Sequence, residues 1–211
     1  MRRSNQFRFI LSKAAVVLAI LFVLPAATEA QLGGILPTSG GSTSTITGDA
    51  AAVRATILGL STTLSDTGAL TSATTREASQ VAGAVSSVLS AETLHAATFG
   101  WADQVASEAS LSNLNLSGGG LSITADMVMA RASQVKGAVG SGSSILSGLS
   151  INGVPINVTG LANQVIAIPG GQVILNQQSV SSTGAMVVNA IHVVVTGVAD
   201  VVIGSATARI S

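Results

Sequence analysis

The chain has 211 residues, of which 47% are hydrophobic, 9% are charged and none is cysteine. The formal net charge is zero, and residues 31–211 carry five basic and eight acidic side chains with no basic cluster. This composition excludes disulfide bonds and cysteine-based metal sites, and it argues against nucleic acid as a partner.

Residues 1–30 have the pattern of a secretory signal peptide. Four basic residues accompany an apolar run at 14–24, and Thr28 and Ala30 are the small residues that signal peptidase requires. The apolar run is too short to span a bilayer. Cleavage would leave residues 31–211 without a stable membrane span, so we expect an exported protein that is secreted, periplasmic or at the cell surface.

The remaining chain divides into a lead-in and one domain. Residues 31–48 are rich in Gly, Ser and Thr and predict a flexible segment, and residues 49–211 predict a single β-rich domain. Residues 50–60 alternate as a first strand. A second strand is expected after the turn signal Asp66-Thr67-Gly68.

Residues 76–97 fit two structures. Val81, Val85 and Val88 follow helical spacing, whereas Gly83 and several serines lower the helix propensity. A short helix and two strands therefore remain as alternatives. The β-rich remainder of the chain favours strands.

The pattern A-x-Q-V occurs four times, and its last three copies are thirty residues apart. A fixed period is typical of a solenoid, and a duplicated hairpin is another reading. Coincidence in a chain rich in Ala, Val and Ser is favoured, because the residues between the copies do not align.

The middle of the chain contains clear hairpin signals. Residues 104–116 and 121–134 alternate on either side of a Gly-Gly-Gly turn, and residues 136–148 read as a Gly/Ser-rich loop. Asn152-Gly153 predicts a type I′ turn. Pro169-Gly170 marks a further turn.

Residues 185–195 and 198–209 predict a hairpin closed by Thr196-Gly197. This loop would place His192 opposite Val201 and Asn189 opposite Gly204. Both faces of the two strands are then largely apolar, so we expect the hairpin to be covered on both sides.

These elements predict an all-β protein, an antiparallel β-sandwich of about eight to twelve short strands. A β-solenoid or a barrel is the alternative, with room for one short helix. Phe99 and Trp101 are the only aromatic residues after residue 30, and the Trp is expected to plug the core or one end of the sandwich.

A polar group on the predicted strands is the one candidate site. Asn176, Gln177, Gln178 and Asn189 are amides that either bind a polar ligand or fix the strand register, and His192 lies beside them. The structural role is favoured. Glu92 and His95 are too few ligands for a metal, and no catalytic motif occurs, so no catalytic residue, metal or cofactor is predicted.

Six segments together resemble the bacterial choice-of-anchor P family. They are SEASLSNLNL at 107–116, SITADMV at 122–128, SGLSINGVPINVTG at 147–160, QVILNQQ at 172–178, and MVVNAIHVVV with ADVVIGSA at 186–195 and 199–206. The resemblance covers residues 49–209 and implies an exported surface domain, without implying any site residues. Because no sorting signal follows the last strand, we expect a periplasmic or released product.

The sequence therefore predicts a non-enzymatic, structural or self-associating extracellular protein. Low charge and high β-propensity support this reading. The alternative is a β-sandwich binding module for a glycan, a peptide or a partner protein, with its site on the Gly/Ser loops around Gly118 and Gly140.

Overall fold

The computed structural model describes residues 44–211, and in this part of the chain the backbone forms two antiparallel sheets and no helix. The strands of the first sheet are β1 (Ile46–Ile57), β2 (Leu60–Asp66), β10 (Gln164–Ile168), β11 (Gly171–Val180), β12 (Met186–Val195) and β13 (Ala199–Ile210). Those of the second are β3 (Thr75–Val85), β4 (Leu89–Gly100), β5 (Gln104–Gly118), β6 (Leu121–Val135), β7 (Ser141–Ser147), β8 (Ser150–Ile151) and β9 (Val154–Pro155).

The two sheets pack face to face as the predicted sandwich. The order is β10-β11-β12-β13-β1-β2 in the six-stranded sheet and β3-β4-β5-β6-β8-β9 in the seven-stranded sheet, where β7 also pairs with β6. Neither sheet closes into a barrel, and the repeats do not stack into a solenoid. The signal peptide and most of the lead-in lie outside the described residues, and β1 already begins at Ile46, inside the expected lead-in.

Several local predictions are confirmed. The 104–116 and 121–134 segments form the β5–β6 hairpin, and Pro169-Gly170 joins β10 to β11. Asn152 and Gly153 have φ values of 50° and 74°, as a type I′ turn requires, and they connect β8 to β9.

The helix alternative for 76–97 is wrong, because this segment forms β3 and most of β4. Val85 and Leu89 are both buried because they face each other across the hairpin, whereas Val81 is 88% exposed. The helical spacing thus arises from a turn between two strands and not from one face of a helix.

Three other details differ from the prediction. The second strand, β2, comes before the turn signal at Asp66 and not after it. Most of the predicted loop at 136–148 is the strand β7, where Gly142 allows close packing against Val188. The last hairpin has a three-residue loop, so His192 faces Val202 and Asn189 faces Ser205.

The alternation of buried and exposed side chains changes phase within the central strands. In β12, Val188 is buried before the change, and Ile191 and Val193 are buried after it. In β13, Ile203 is buried before the change and Ala206 after it. Each of these strands therefore contributes both odd-numbered and even-numbered residues to the same core. The prediction that two apolar faces are both covered is wrong for this reason.

The phase changes lie in one row across the six-stranded sheet. Three members of the row have positive φ, and they alternate with two alanines in the order Asn176, Ala190, Gly204, Ala52 and Ser65. A left-handed residue interrupts the extended backbone, and a shift of one place moves all later side chains to the other face.

Small side chains fill one part of the interior between the two sheets. Ala50, Ala96 and Ala109 pack together, and a Cβ atom on Gly48 would lie 2.8 Å from Thr98 Cγ2. The buried hydroxyl of Thr98 lies 3.1 Å from that of Ser107, which donates to the Thr207 carbonyl at 2.6 Å. The bond from Ser107 to Thr207 ties the two sheets together.

The row predicts a large effect of Gly204→Ala. Gly204 has φ of 67°, and an added Cβ would lie 3.2 Å from the Ala190 Cβ. Alanine in the left-handed region costs about 1–2 kcal/mol, and crowding adds to that. We expect a loss of about 2–3 kcal/mol in the free energy of unfolding, measured by urea denaturation.

Gly197→Ala is the matched control. Gly197 also has positive φ, 71°, but an added Cβ would meet nothing within 4 Å. Its loss should stay near 1 kcal/mol. Equal losses for the two variants would contradict tight packing along the row.

Candidate functional site

The outer face of the six-stranded sheet carries a continuous polar network. Asn189 and His192 are three residues apart, a spacing that puts side chains on opposite faces of a regular strand. The phase change at Ala190 brings both to the same face of β12. Gln177 on β11 is the registered partner of Asn189 and joins them.

Four side chains form the centre of this network. Gln177 Oε1 accepts a hydrogen bond from Asn189 Nδ2 at 2.8 Å and lies 2.9 Å from His192 Nδ1. His192 Nε2 lies 2.9 Å from Asp200 Oδ1. The His192 side chain is 17% exposed and that of Asp200 is 61% exposed, so the carboxylate is the part that solvent reaches. The network therefore orients an accessible carboxylate.

A cluster of one arginine and two aspartates continues the polar face across β13 and β1. Arg54 donates from Nη1 to Ser205 Oγ at 3.3 Å and forms ion pairs with Asp49 and, at 3.5 Å, with Asp66. Asp49 and Arg54 are five residues apart and share a face because of the phase change in β1. Arg54 also helps to line a shallow depression of about 250 Å³, together with Thr63 and Asp200.

Asn176 and Gln178 do not join His192. Asn176 is 4% exposed, donates to the Gly160 carbonyl at 3.1 Å and accepts from Gln178 Nε2 at 2.9 Å. Asn163 Oδ1 accepts a hydrogen bond from the backbone amide of Gln178 at 2.9 Å. The predicted cluster is thus two groups: Asn176 and Gln178 hold the segment before β10, and Asn189 and His192 belong to the outer face.

Sequence reasoning missed Asp200 and Arg54. The predicted register of the last hairpin pairs His192 with Val201 and so places Asp200 on the opposite face of the sheet. The structure pairs His192 with Val202, which places Asp200 diagonally across from the ring on the same face. No local signal marks Arg54, because Asp49, five residues before it, shares its face only as a result of the phase change in β1.

A second histidine lies on the outer face of the other sheet. His95 Nδ1 lies 3.0 Å from Ser79 Oγ and 3.6 Å from Glu77 Oε1. In a Ser-His-acid triad the serine and the acid contact different ring nitrogens, whereas both contact Nδ1 here. This trio does not have the geometry of a nucleophile with its base.

The sequence pair Glu92 and His95 does not form a shared site. Glu92 accepts from Asn113 Nδ2 at 2.7 Å, and His95 contacts the partners described above. Residues 44–211 contain no group of three or more His, Asp or Glu side chains placed to hold a metal ion. In the same residues no helix is long and apolar enough to cross a membrane.

The prediction that Trp101 plugs the sandwich is wrong. Trp101 is 45% exposed and stacks on Phe99, which is 38% exposed, with the ring centroids 5.9 Å apart and the planes at 20°. Thr98 faces the interior, so its neighbour Phe99 faces outward.

Comparison with protein-family models, with curated proteins and with solved structures finds no match to this chain. The resemblance of its segments to the choice-of-anchor P family therefore stays a prediction.

The two polar groups should respond separately to substitution. Asn176→Gly keeps the left-handed backbone but removes the side chain that holds Gly160, so amide hydrogen exchange at 159–163 should rise. Gln177→Ala should leave that exchange unchanged and lower the free energy of unfolding by about 1–2 kcal/mol, because Asn189 and His192 lose their shared partner.

Gln172→Ala is the control for Gln177→Ala, since Gln172 is an exposed glutamine on the same strand. It should change neither quantity. The two groups share no partner, so the effects of Asn176→Gly and Gln177→Ala on stability should add. Strong coupling in the double variant would contradict the division into two groups.

Proposed function

We propose that this protein is an exported, non-enzymatic domain of the cell surface or extracellular space that self-associates, and that it is related to the choice-of-anchor P family. The signal-peptide pattern at 1–30 supports export, to the periplasm, the surface or the medium. The observation that carries self-association is the unprotected edge strand β10.

The strand β10 has a hydrogen-bonded neighbour on one side only, β11, among residues 44–211. Its other side presents backbone donors and acceptors that a further strand satisfies. Val165 on this strand is 58% exposed, and two further apolar side chains lie exposed nearby in the chain, Leu161 before β10 at 71% and Val180 at the end of β11 at 62%. An edge of this kind is a template for pairing with another chain.

Charge does not protect this edge. No Asp, Glu, Lys or Arg occurs between Lys136 and Asp200, a stretch that contains β7 to β12. By contrast, β3 at the edge of the other sheet carries Arg76 and Glu77. Antiparallel pairing of β10 with a second copy sets the strand against a reversed copy of itself, and an uncharged strand does so without repulsion.

The loop-built binding module is less well supported. The turns near Gly118 and Gly140 precede and follow β6, so they lie at opposite ends of this 15-residue strand. They do not combine into one site. Recognition of a ligand by this domain would instead use a sheet face.

Residues 31–211 should form assemblies that grow with concentration in sedimentation velocity experiments. Val165→Lys should shift the distribution to the monomer, because a lysine on an edge strand blocks the approach of another strand. Val81→Lys is the matched control on the charged edge β3, where Val81 is 88% exposed, and it should leave the assembly unchanged.

A monomer at every concentration would refute self-association. Assemblies that survive Val165→Lys but dissociate in the Val81→Lys variant would move the interface from β10 to β3.

A further inference from the structure

The only two aromatic side chains after residue 30 lie together on the surface. The core contains aliphatic and small side chains alone, so the fold does not use Phe99 or Trp101 to fill its interior. Exposure of large apolar rings to water is unfavourable. A stacked and accessible pair is therefore a feature that the packing of this protein does not explain.

The backbone between the two rings is held in place. The Gly100 amide donates to the Thr74 carbonyl at 2.8 Å, and the Trp101 amide donates to the Gln104 carbonyl at 2.8 Å. A Cβ atom on Gly100 would lie 2.7 Å from the Ser72 carbonyl oxygen, so only glycine fits this approach. The rings are thus pre-organised, which reduces the entropy lost when a ligand is bound.

A row of small side chains, an alanine and then two serines, extends from the rings across the same sheet face. Phe99 pairs with Ala106, Ala106 with Ser133, and Ser133 with Ser141, in one row over β4 to β7. The hydroxyls of Ser133 and Ser141 lie 2.9 Å apart. With strands about 4.8 Å apart, the row forms a low track that starts at the aromatic pair.

A charged pair borders this track. Arg131 Nε donates to Glu108 Oε2 at 2.6 Å, two residues along β6 and β5 from Ser133 and Ala106. The Arg131 side chain is 40% exposed and that of Glu108 is 31% exposed. Their remaining donors and acceptors are therefore accessible, and bonds to charged groups are the stronger ones.

We propose that Phe99, Trp101 and the adjacent track bind a neutral, β-linked glycan. The apolar C–H face of a sugar packs on an aromatic ring, and its hydroxyls exchange hydrogen bonds with serines, a carboxylate and a guanidinium. Among β-linked chains the β-1,4-linked ones are flat ribbons, so these are the chains that lie along a flat row of small side chains. This surface is independent of β10 and of the proposed self-association.

Other ligand classes fit the surface less well. The core of a protein interface is depleted in charged residues, whereas the Glu108–Arg131 pair and two serines lie on the same sheet face as these rings. A nucleic acid needs a basic groove beside its stacking rings, and residues 31–211 have more acidic than basic side chains.

Trp101 is the single tryptophan of the chain, so its fluorescence reports on the proposed site directly. The chain from residue 31, which contains the whole compact unit Ser42–Ser211, is titrated with cellohexaose and with chitohexaose. At least one of them should change the Trp101 emission in a saturable way between about 1 µM and 10 mM. Phe99→Ala keeps the fluorophore and should weaken that binding about tenfold or more.

Leu60→Ala is the control, because Leu60 is 77% exposed on the other sheet. It should bind like the unchanged protein. Phe99→Leu is tested in parallel, and each variant is accepted only if its urea midpoint matches that of the unchanged protein. The proposal is overturned if neither hexasaccharide changes the emission, or if both Phe99 variants bind with undiminished affinity. Assembly in the centrifuge is scored separately, so failure here leaves the β10 proposal standing.

Discussion

The row of left-handed residues across the six-stranded sheet is the constraint on which most of this structure depends. Five of the six strands in this sheet begin with one parity facing the core and end with the other, and left-handed residues mark the exchange at Asn176, Gly204 and Ser65 on alternate strands. Because all neighbours change phase in the same row, the register survives and the core stays continuous. One misplaced phase change would turn half a strand inside out.

The same row explains what the sequence could and could not predict. The strands and the Asn152-Gly153 turn follow from local chemistry, so the sandwich and its hairpins were accessible from the chain alone. The phase change has no comparable local signature, because serine, asparagine and glycine also occur at many ordinary positions. A strict period of two therefore gave two apolar faces in the last hairpin, where there is one core face and one outer face that carries Asn189, His192 and Asp200.

The candidate network could not be predicted from the sequence for a related reason. Asn189, His192 and Asp200 meet only when both the three-residue loop and the phase change at Ala190 are known. Asn176 and Gln178 are close to them in sequence, yet they hold the segment before β10. The sequence identified these residues as polar side chains on strands, but it could not assign them to a face of the sheet. The face depends on the backbone conformation between the residues.

The distribution of charge and aromatic side chains gives the two sheets different surfaces. The uncharged stretch 137–199 supplies the edge β10 of the six-stranded sheet, whereas the stacked rings lie on β4 and the segment after it, in the seven-stranded sheet. Pairing through β10 extends one sheet and leaves the outer face of the other open. The resulting pair would present two copies of the proposed sugar-binding surface, and two linked weak contacts hold a polymer far more tightly than one. A flat site without a deep pocket is suited to this use, because affinity comes from repetition and not from enclosure.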